Sequence, residues 1–191
     1  IYADANGDGN YGDTNDMNFT GTSTQPRYNF GLNLSVAYKG FDFYMLWAGS
    51  AGFDLYWNHS SYNGTRTENG FGISQRVADN HYFYNPENPS DSRTNITAKY
   101  PRITDQTQRD NGTSSVFWKY KGDYVKLKNI QIGYTIPVKW TRKFMVEKLR
   151  FYFSGENLLT ITSYPGLDPE MGTSITYPLT RQFAFGAQLS F

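Results

Sequence analysis

Cysteine is absent from this 191-residue sequence, which removes disulfide frameworks, thiolate metal centres and cysteine nucleophiles from consideration. The absence is compatible with an oxidising compartment without selecting one. A charge excess of either sign is lacking too. With 18 Lys and Arg against 17 Asp and Glu, the formal net charge is +1, so no basic stripe exists to release counterions from a phosphate backbone, and nucleic acid is not an expected partner. No run of roughly eighteen apolar residues occurs and mean hydropathy is negative, which excludes a membrane-spanning helix. A membrane β-barrel survives that test, because each of its strands is apolar on one face only. No signal peptide stands at Ile1-Tyr2-Ala3-Asp4; an exported protein beginning there has been processed, or the sequence is the later part of a longer chain.

What is abundant is aromatic and turn-forming: 16 Tyr, 14 Phe and 18 Gly, with many Asn and Thr and little of the Leu, Ala, Glu and Lys that helices favour. That balance predicts an all-β chain. Its clearest strand is 181–191. Phe183, Phe185, Ala187, Leu189 and Phe191 fall on one face, and Gln182, Ala184, Gly186, Gln188 and Ser190 on the other. A greasy face opposite a small polar one suits a strand with lipid outside and a crowded, watery lumen inside. The last strand of a soluble β-sandwich is the alternative at this point. An aromatic residue closing such a strand resembles the terminal signal by which bacterial outer-membrane barrels are recognised for insertion.

The same alternation runs through 28–38, where Phe30, Leu32, Leu34, Val36 and Tyr38 alternate with Gly31, Asn33, Ser35 and Ala37. After the turn Lys39-Gly40 it resumes over 41–49 on Phe41, Phe43, Met45 and Trp47, a hairpin with one continuous apolar face. Tyr28, Phe30, Tyr38, Phe41 and Trp47 cluster near its ends, as interfacial aromatic girdles do. A third strand is predicted over 124–136. Val125 and Leu127 are apolar on odd positions, Ile130, Ile132, Tyr134 and Ile136 on even ones, so one extra residue near Lys128-Asn129 is predicted to form a β-bulge that restores a single face. Pro137 ends that strand. A fourth, 149–162, carries Leu149, Phe151, Phe153, Gly155, Asn157, Leu159 and Ile161 on one face.

Three segments lack alternation: 1–27, 50–122 and 163–180. The first opens with Asp4, Asn6, Asp8 and the Asn10 carbonyl at the spacing of an EF-hand loop, with Gly9 at its sixth position. Its twelfth position is Asn15 where a bidentate carboxylate belongs; Asp16, one residue on, could close a calcium site, and a solvated Asx/Gly turn needs no ion. No cofactor is otherwise required. In the second segment Trp57, Tyr62, Tyr82, Tyr84 and Trp118 are candidate stacking platforms for a sugar or a partner protein, although each ring could equally pack the loop on itself. In the third, Asp168 and Glu170 read as solvated turn residues rather than as a glycosidase pair. His59 and His81 have no nucleophile motif beside them, and no enzymatic reaction is expected.

The order of pieces is distinctive. Asp4-Ala5-Asn6-Gly7-Asp8-Gly9, Tyr38-Lys39-Gly40-Phe41-Asp42, Gly122-Asp123-Tyr124-Val125-Lys126-Leu127-Lys128-Asn129-Ile130, Ile132-Gly133-Tyr134-Thr135-Ile136-Pro137, Glu156-Asn157-Leu158-Leu159-Thr160 and Tyr164-Pro165-Gly166-Leu167-Asp168-Pro169-Glu170, followed by the Phe-ended strand, resemble the carboxy-terminal part of the SusC/RagA family of TonB-dependent outer-membrane transporters. The resemblance implies an antiparallel meander of about five strands forming the last part of a large transmembrane β-barrel, all of 1–191 belonging to it. It implies that both sheet edges meet strands outside this sequence, that Lys39-Gly40 and 137–148 are periplasmic, and that the long segments face outward. It also implies import of an oligosaccharide or peptide with a SusD-like surface lipoprotein, driven by TonB through a plug region that this sequence lacks. A secreted carbohydrate-binding β-sandwich, or a passive porin or adhesin barrel, would share the strand pattern without those partners.

Overall fold

A computed structural model describes residues 3–57, 72–103, 115–174 and 177–191. Its main feature is a five-stranded antiparallel sheet in the order β1-β2-β5-β6-β7, made of β1 (Tyr28–Tyr38), β2 (Phe41–Ala51), β5 (Tyr124–Thr135), β6 (Lys148–Thr162) and β7 (Gln182–Ser190). Each strand pairs with its sequence neighbour within this sheet, so it is a meander with β1 and β7 at its edges. Strands of 9 to 15 residues are long enough to cross a bilayer, which takes about 9–11 residues when tilted.

Register makes the apolar stripe of each strand one surface. Val36, Phe43, Ile132, Phe153 and Phe185 form a single row across the sheet, and Leu34, Met45, Ile130, Gly155 and Phe183 the next. The surface is bare: Leu32, Val36, Phe151, Ile161, Phe183 and Phe185 are all exposed, Phe185 at 83%. On the other face the rows are polar or small, for example Ser35, Tyr44, Gln131, Ser154 and Ala184.

The predicted bulge is present and falls on one residue. Leu46 pairs with Asn129 and Trp47 with Leu127, so Lys128 has no partner in β2 and the apolar side passes from odd to even positions there. On the β6 side, Leu127 pairs with Leu159 and Asn129 with Glu156. Asn157 and Leu158 of β6 thus face the single Lys128, one extra residue against β5 and two against β2. Asn157 does not continue the apolar face as expected; it adopts φ 53 in this irregularity, and Leu158 folds into the space above Gly155. Two extra residues leave the parity of β6 unchanged, which is why Leu159 and Ile161 still align.

Gly49 is the tightest crossing on the apolar side. The Phe30 ring lies over it, and a Cβ would come within 2.6 Å of the Tyr124 carbonyl oxygen as well as into that ring. Because a backbone atom blocks the site, Gly49→Ala is expected to destabilise the sheet by about 1–3 kcal/mol. Denaturant unfolding of the detergent-solubilised protein measures it; a loss below about 0.5 kcal/mol would mean that the strands move apart freely.

The long segment between β2 and β5 is not featureless. It holds β3 (Asp54–Tyr56) and β4 (Lys119–Lys121), which pair as a two-stranded ribbon, a short helix Gln75–Asp79 and a 3-10 turn Val116–Trp118. The chain divides into two compact units: Ser23–Leu55 with Tyr120–Phe191, containing the large sheet, and Ile1–Thr22 with Tyr56–Lys119. The second unit has its own core, Val77, Tyr100 and Trp118, with Ile73 against it. Tyr100 stacks on Trp118 at 6.0 Å between ring centroids, and Phe117 meets Trp118 edge-on at 4.8 Å.

Candidate functional site

The polar face of the large sheet carries its chemistry. Hydroxyl and amide side chains line most of it, so the wall offers hydrogen-bond partners to a polar solute. Several of its charges are paired. Asp42 on β2 and Arg150 on β6 reach each other across β5, with Arg150 Nε donating to Asp42 Oδ2 at 2.9 Å. They meet above Gly133, where a Cβ would lie only 2.5 Å from that carboxylate oxygen. Glycine is what lets an ion pair lie flat across an intervening strand.

Toward the end where the long segments leave, a four-residue cluster fixes the turn after β6. Lys126 of β5 is 1% exposed, and its Nζ donates to Asp168 at 2.5 Å and to Glu170 at 2.9 Å. The bulged Lys128 also donates to Glu170, at 2.5 Å. The turn itself is prepared for this: Asp168 caps the 3-10 turn Pro169–Met171 by accepting from the Glu170 N–H, and the buried Tyr164 hydroxyl donates to the Gly172 carbonyl at 3.1 Å. Asp168 and Glu170 are thus not solvated turn residues. They dock the turn onto the polar face, and the strand lysines opposite them were the sequence signal. A lone cation such as Lys126 on a half-buried strand requires a partner.

Burial alone would raise the Glu170 carboxyl, but hydrogen bonds from Lys128 and Lys126 outweigh it and hold the group below the ordinary glutamate value. A depressed folded value stabilises fully above the unfolded one and is lost as pH falls through the folded one. Limited proteolysis within 163–174 is therefore expected to stay slow from neutral pH through the ordinary glutamate range and to accelerate only below it. Acceleration already at pH 6 would show that the turn is held by something else.

The expected ligand platforms fare unequally. Trp118 is 2% and Trp57 6% exposed, and the Trp57 N–H donates to the Trp118 carbonyl at 2.8 Å. Trp118 belongs to the core of its unit and Trp57 is buried as well, which corrects their assignment as stacking surfaces, since further chain could only bury them more. Tyr82 and Tyr84 are exposed, while Phe83 between them pairs with Asn95 and lies under the Arg93 guanidinium at 4.7 Å. Arg93 also bonds Asp91 and holds that carboxyl down at about 2. Tyr82 and Tyr84 are thus presented side by side on an extended segment with a braced back. Tyr62 and His59 lie outside the described residues.

In the opening loop the oxygens turn inward to the backbone. Asp4 accepts from the N–H groups of Gly7, Asp8 and Gly9, Asn6 from Asp8, Asp8 from Asn10, and Asp16 from Ala5 and Gly12. The Asn10 N–H bond also holds the Asp8 carboxyl below its ordinary value. Asx turns hold the loop's shape. Among the described residues no group of three or more His, Asp or Glu side chains converges closely enough to hold a metal.

A cavity of about 210 Å³ lies beside the docked turn, lined by Pro26, Phe53, Leu55, Tyr124 and Glu170 among others. Small-molecule sites run to roughly 300–1,000 Å³. The walls of this sheet therefore do not by themselves enclose a bulky solute.

No family model matches the sequence. It is 31% identical to TonB-dependent receptor P3 of Formosa agariphila over 206 residues, covering 100% of this chain and 19% of that protein. TonB-dependent receptor P39 of the same organism is 26% identical over 204 residues, covering 100% of this chain and 18% of its own length. The chain thus spans about one fifth of the curated relatives it matches. Among solved structures, the RagAB peptide importer in its "closed-closed" state superposes with a TM-score of 0.68 at 23% identity, covering 89% of this chain and 18% of that one; a second structure, of the RagAB peptide transporter, gives 0.64 at 24%. Alignment over the whole of this chain, together with a sheet that superposes on part of RagAB, accounts for the fold and its unpaired edges alike: the chain belongs to the TonB-dependent receptors, and its sheet has the fold of a section of a RagAB-like β-barrel.

Proposed function

We propose that this chain forms part of an outer-membrane active transporter that imports a bulky nutrient, an oligosaccharide or a peptide, with a SusD-like surface lipoprotein as partner and energy delivered through TonB to a plug outside this sequence. One observation carries the reading: an exposed apolar surface in register across five strands, backed by a small, polar, ion-paired face. A water-soluble sandwich buries its apolar sheet face, and a bilayer accommodates a bare one of this extent. The related receptors and the fold likeness to a peptide importer support the transport half of the proposal. The docked turn 163–174 keeps the wall's outward end ordered, and Tyr82 and Tyr84 are the rings available to a substrate or a lipoprotein.

The test is purification of the native protein from detergent-solubilised outer membranes, with intact mass, peptide sequencing upstream of Ile1 and identification of co-purifying chains, alongside growth of a receptor-deleted strain on oligosaccharides and on peptides. A much larger receptor that brings a surface lipoprotein with it, and loss of growth on one nutrient class, are expected. A detergent-independent species of this length alone would sink the proposal in favour of a carbohydrate-binding sandwich. A barrel with no lipoprotein and unimpaired growth would favour a porin or adhesin.

A further inference from the structure

At the end of the sheet away from the long segments, the connection from β5 to β6 is short, but its composition is unusual for a turn. It runs through a helical turn Val138–Thr141 and a 3-10 turn Arg142–Phe144, then Met145 in the left-handed region at φ 58. Trp140, Phe144 and Met145 stand 61%, 75% and 83% exposed. Three large apolar side chains bared on so few residues mark a contact surface rather than ordinary solvent exposure. Interleaved with them are Lys139, Arg142 and Lys143, none of which has an ion pair among the described residues. The only acid in this stretch is Glu147.

Beside them lies an open groove of about 460 Å³, lined by Val138, Arg142, Met145, Val146, Glu147 and Phe191. Phe191 continues the alternation of Phe183, Phe185 and Leu189, so the groove opens on the apolar face and not on the polar one. Apolar walls continuous with a lipid-facing surface, and a guanidinium at the rim with two free ammonium groups beside it, are complementary to one kind of occupant. We infer that the 138–147 connection is an interfacial anchor that seats an anionic phospholipid, its acyl chain against Val138, Met145 and Phe191 and its phosphate on Arg142 and Lys143. Trp140 and Phe144 sit at headgroup depth, and the lysine stems snorkel past them. Three cations against one acid favour an anionic headgroup over a zwitterionic one, and the planar guanidinium binds phosphate through paired donors.

The inference rests on the reading that the apolar face meets lipid, and the experiment separates the two. The full-length receptor is reconstituted into bilayers of phosphatidylcholine with a minor share of phosphatidylglycerol, extracted gently, and its retained lipids are counted by native mass spectrometry. Phosphatidylglycerol is expected to be enriched over its share of the bilayer. In Arg142→Gln/Lys143→Gln the enrichment is expected to fall on the order of tenfold with phosphatidylcholine retention unchanged, and in Trp140→Ala, which keeps every charge, to fall by a smaller factor. Retention at the bilayer ratio, or equal enrichment in wild type and the charge variant, overturns the anchor while leaving the barrel intact. Failure of the wild-type receptor to insert at all refutes the barrel reading instead.

Discussion

Replacing Lys126 with methionine is expected to destabilise the receptor's barrel by about 3–5 kcal/mol, the range seen when one partner of a buried ion pair is removed. The methionine fits the space; the loss is electrostatic. Lys126 is 1% exposed and the Asp168 side chain 11%, so the substitution strands a buried carboxylate, whereas Glu170, a third exposed, keeps Lys128. Asp168 then either ionises without a partner or leaves with its turn, exposing 163–174 to protease. The diagnostic comparison adds Asp168→Leu. If the single variant's loss comes from the orphaned carboxylate, the double variant recovers a large part of it, since a buried pair replaced by apolar residues of similar volume is often neutral. A double variant as unstable as the single one would place the loss in packing. A single variant within about 0.5 kcal/mol of wild type would mean that the turn does not dock on the wall at all.

That cluster also marks where sequence reasoning runs out. Strands were legible because a half-lipid, half-water environment writes a period of two into the chain, and the odd-to-even switch between Leu127 and Ile130 located the bulge on purely local grounds. Which residues the turns dock against is a matter of long-range register, and nothing in Pro165-Gly166-Leu167-Asp168-Pro169-Glu170 announces that Lys126, some forty residues earlier, lies under it. The β6 irregularity escaped for a related reason: measured against β2, Asn157 and Leu158 add two residues, and an even insertion leaves no trace in a two-residue period. Between β2 and β5 the difficulty is different again. A small core built on Val77, Tyr100 and Trp118 draws its members from positions far apart in an aperiodic, polar sequence, so buried rings and exposed ones looked alike there. Trp57 and Trp118 proved to be interior and Tyr82 and Tyr84 surface.

The apolar face gives the other large effect. Phe185 lies in the row Val36, Phe43, Ile132, Phe153, Phe185, packs on the Phe153 ring at 4.9 Å, and is otherwise 83% exposed. In water an exposed phenylalanine replaced by arginine would cost little, because nothing buried is disturbed. In a barrel wall the same arginine must enter hydrocarbon, and near the bilayer midplane that costs about 2–4 kcal/mol. Phe185 is central in its strand, with Phe183 and Leu189 on the same face to either side, so a midplane depth is expected. Ser35→Arg supplies the control: Ser35 lies on the opposite face, in the row with Tyr44, Gln131 and Ser154, where a lumen keeps arginine hydrated and the change is expected to stay within about 0.5 kcal/mol. Unfolding of the reconstituted receptor in bilayers measures both. The difference between the two losses is the decisive quantity, because both side chains are exposed when only protein is counted. A Phe185→Arg loss no greater than that of Ser35→Arg would mean that both faces see water, and the barrel reading would fall with it.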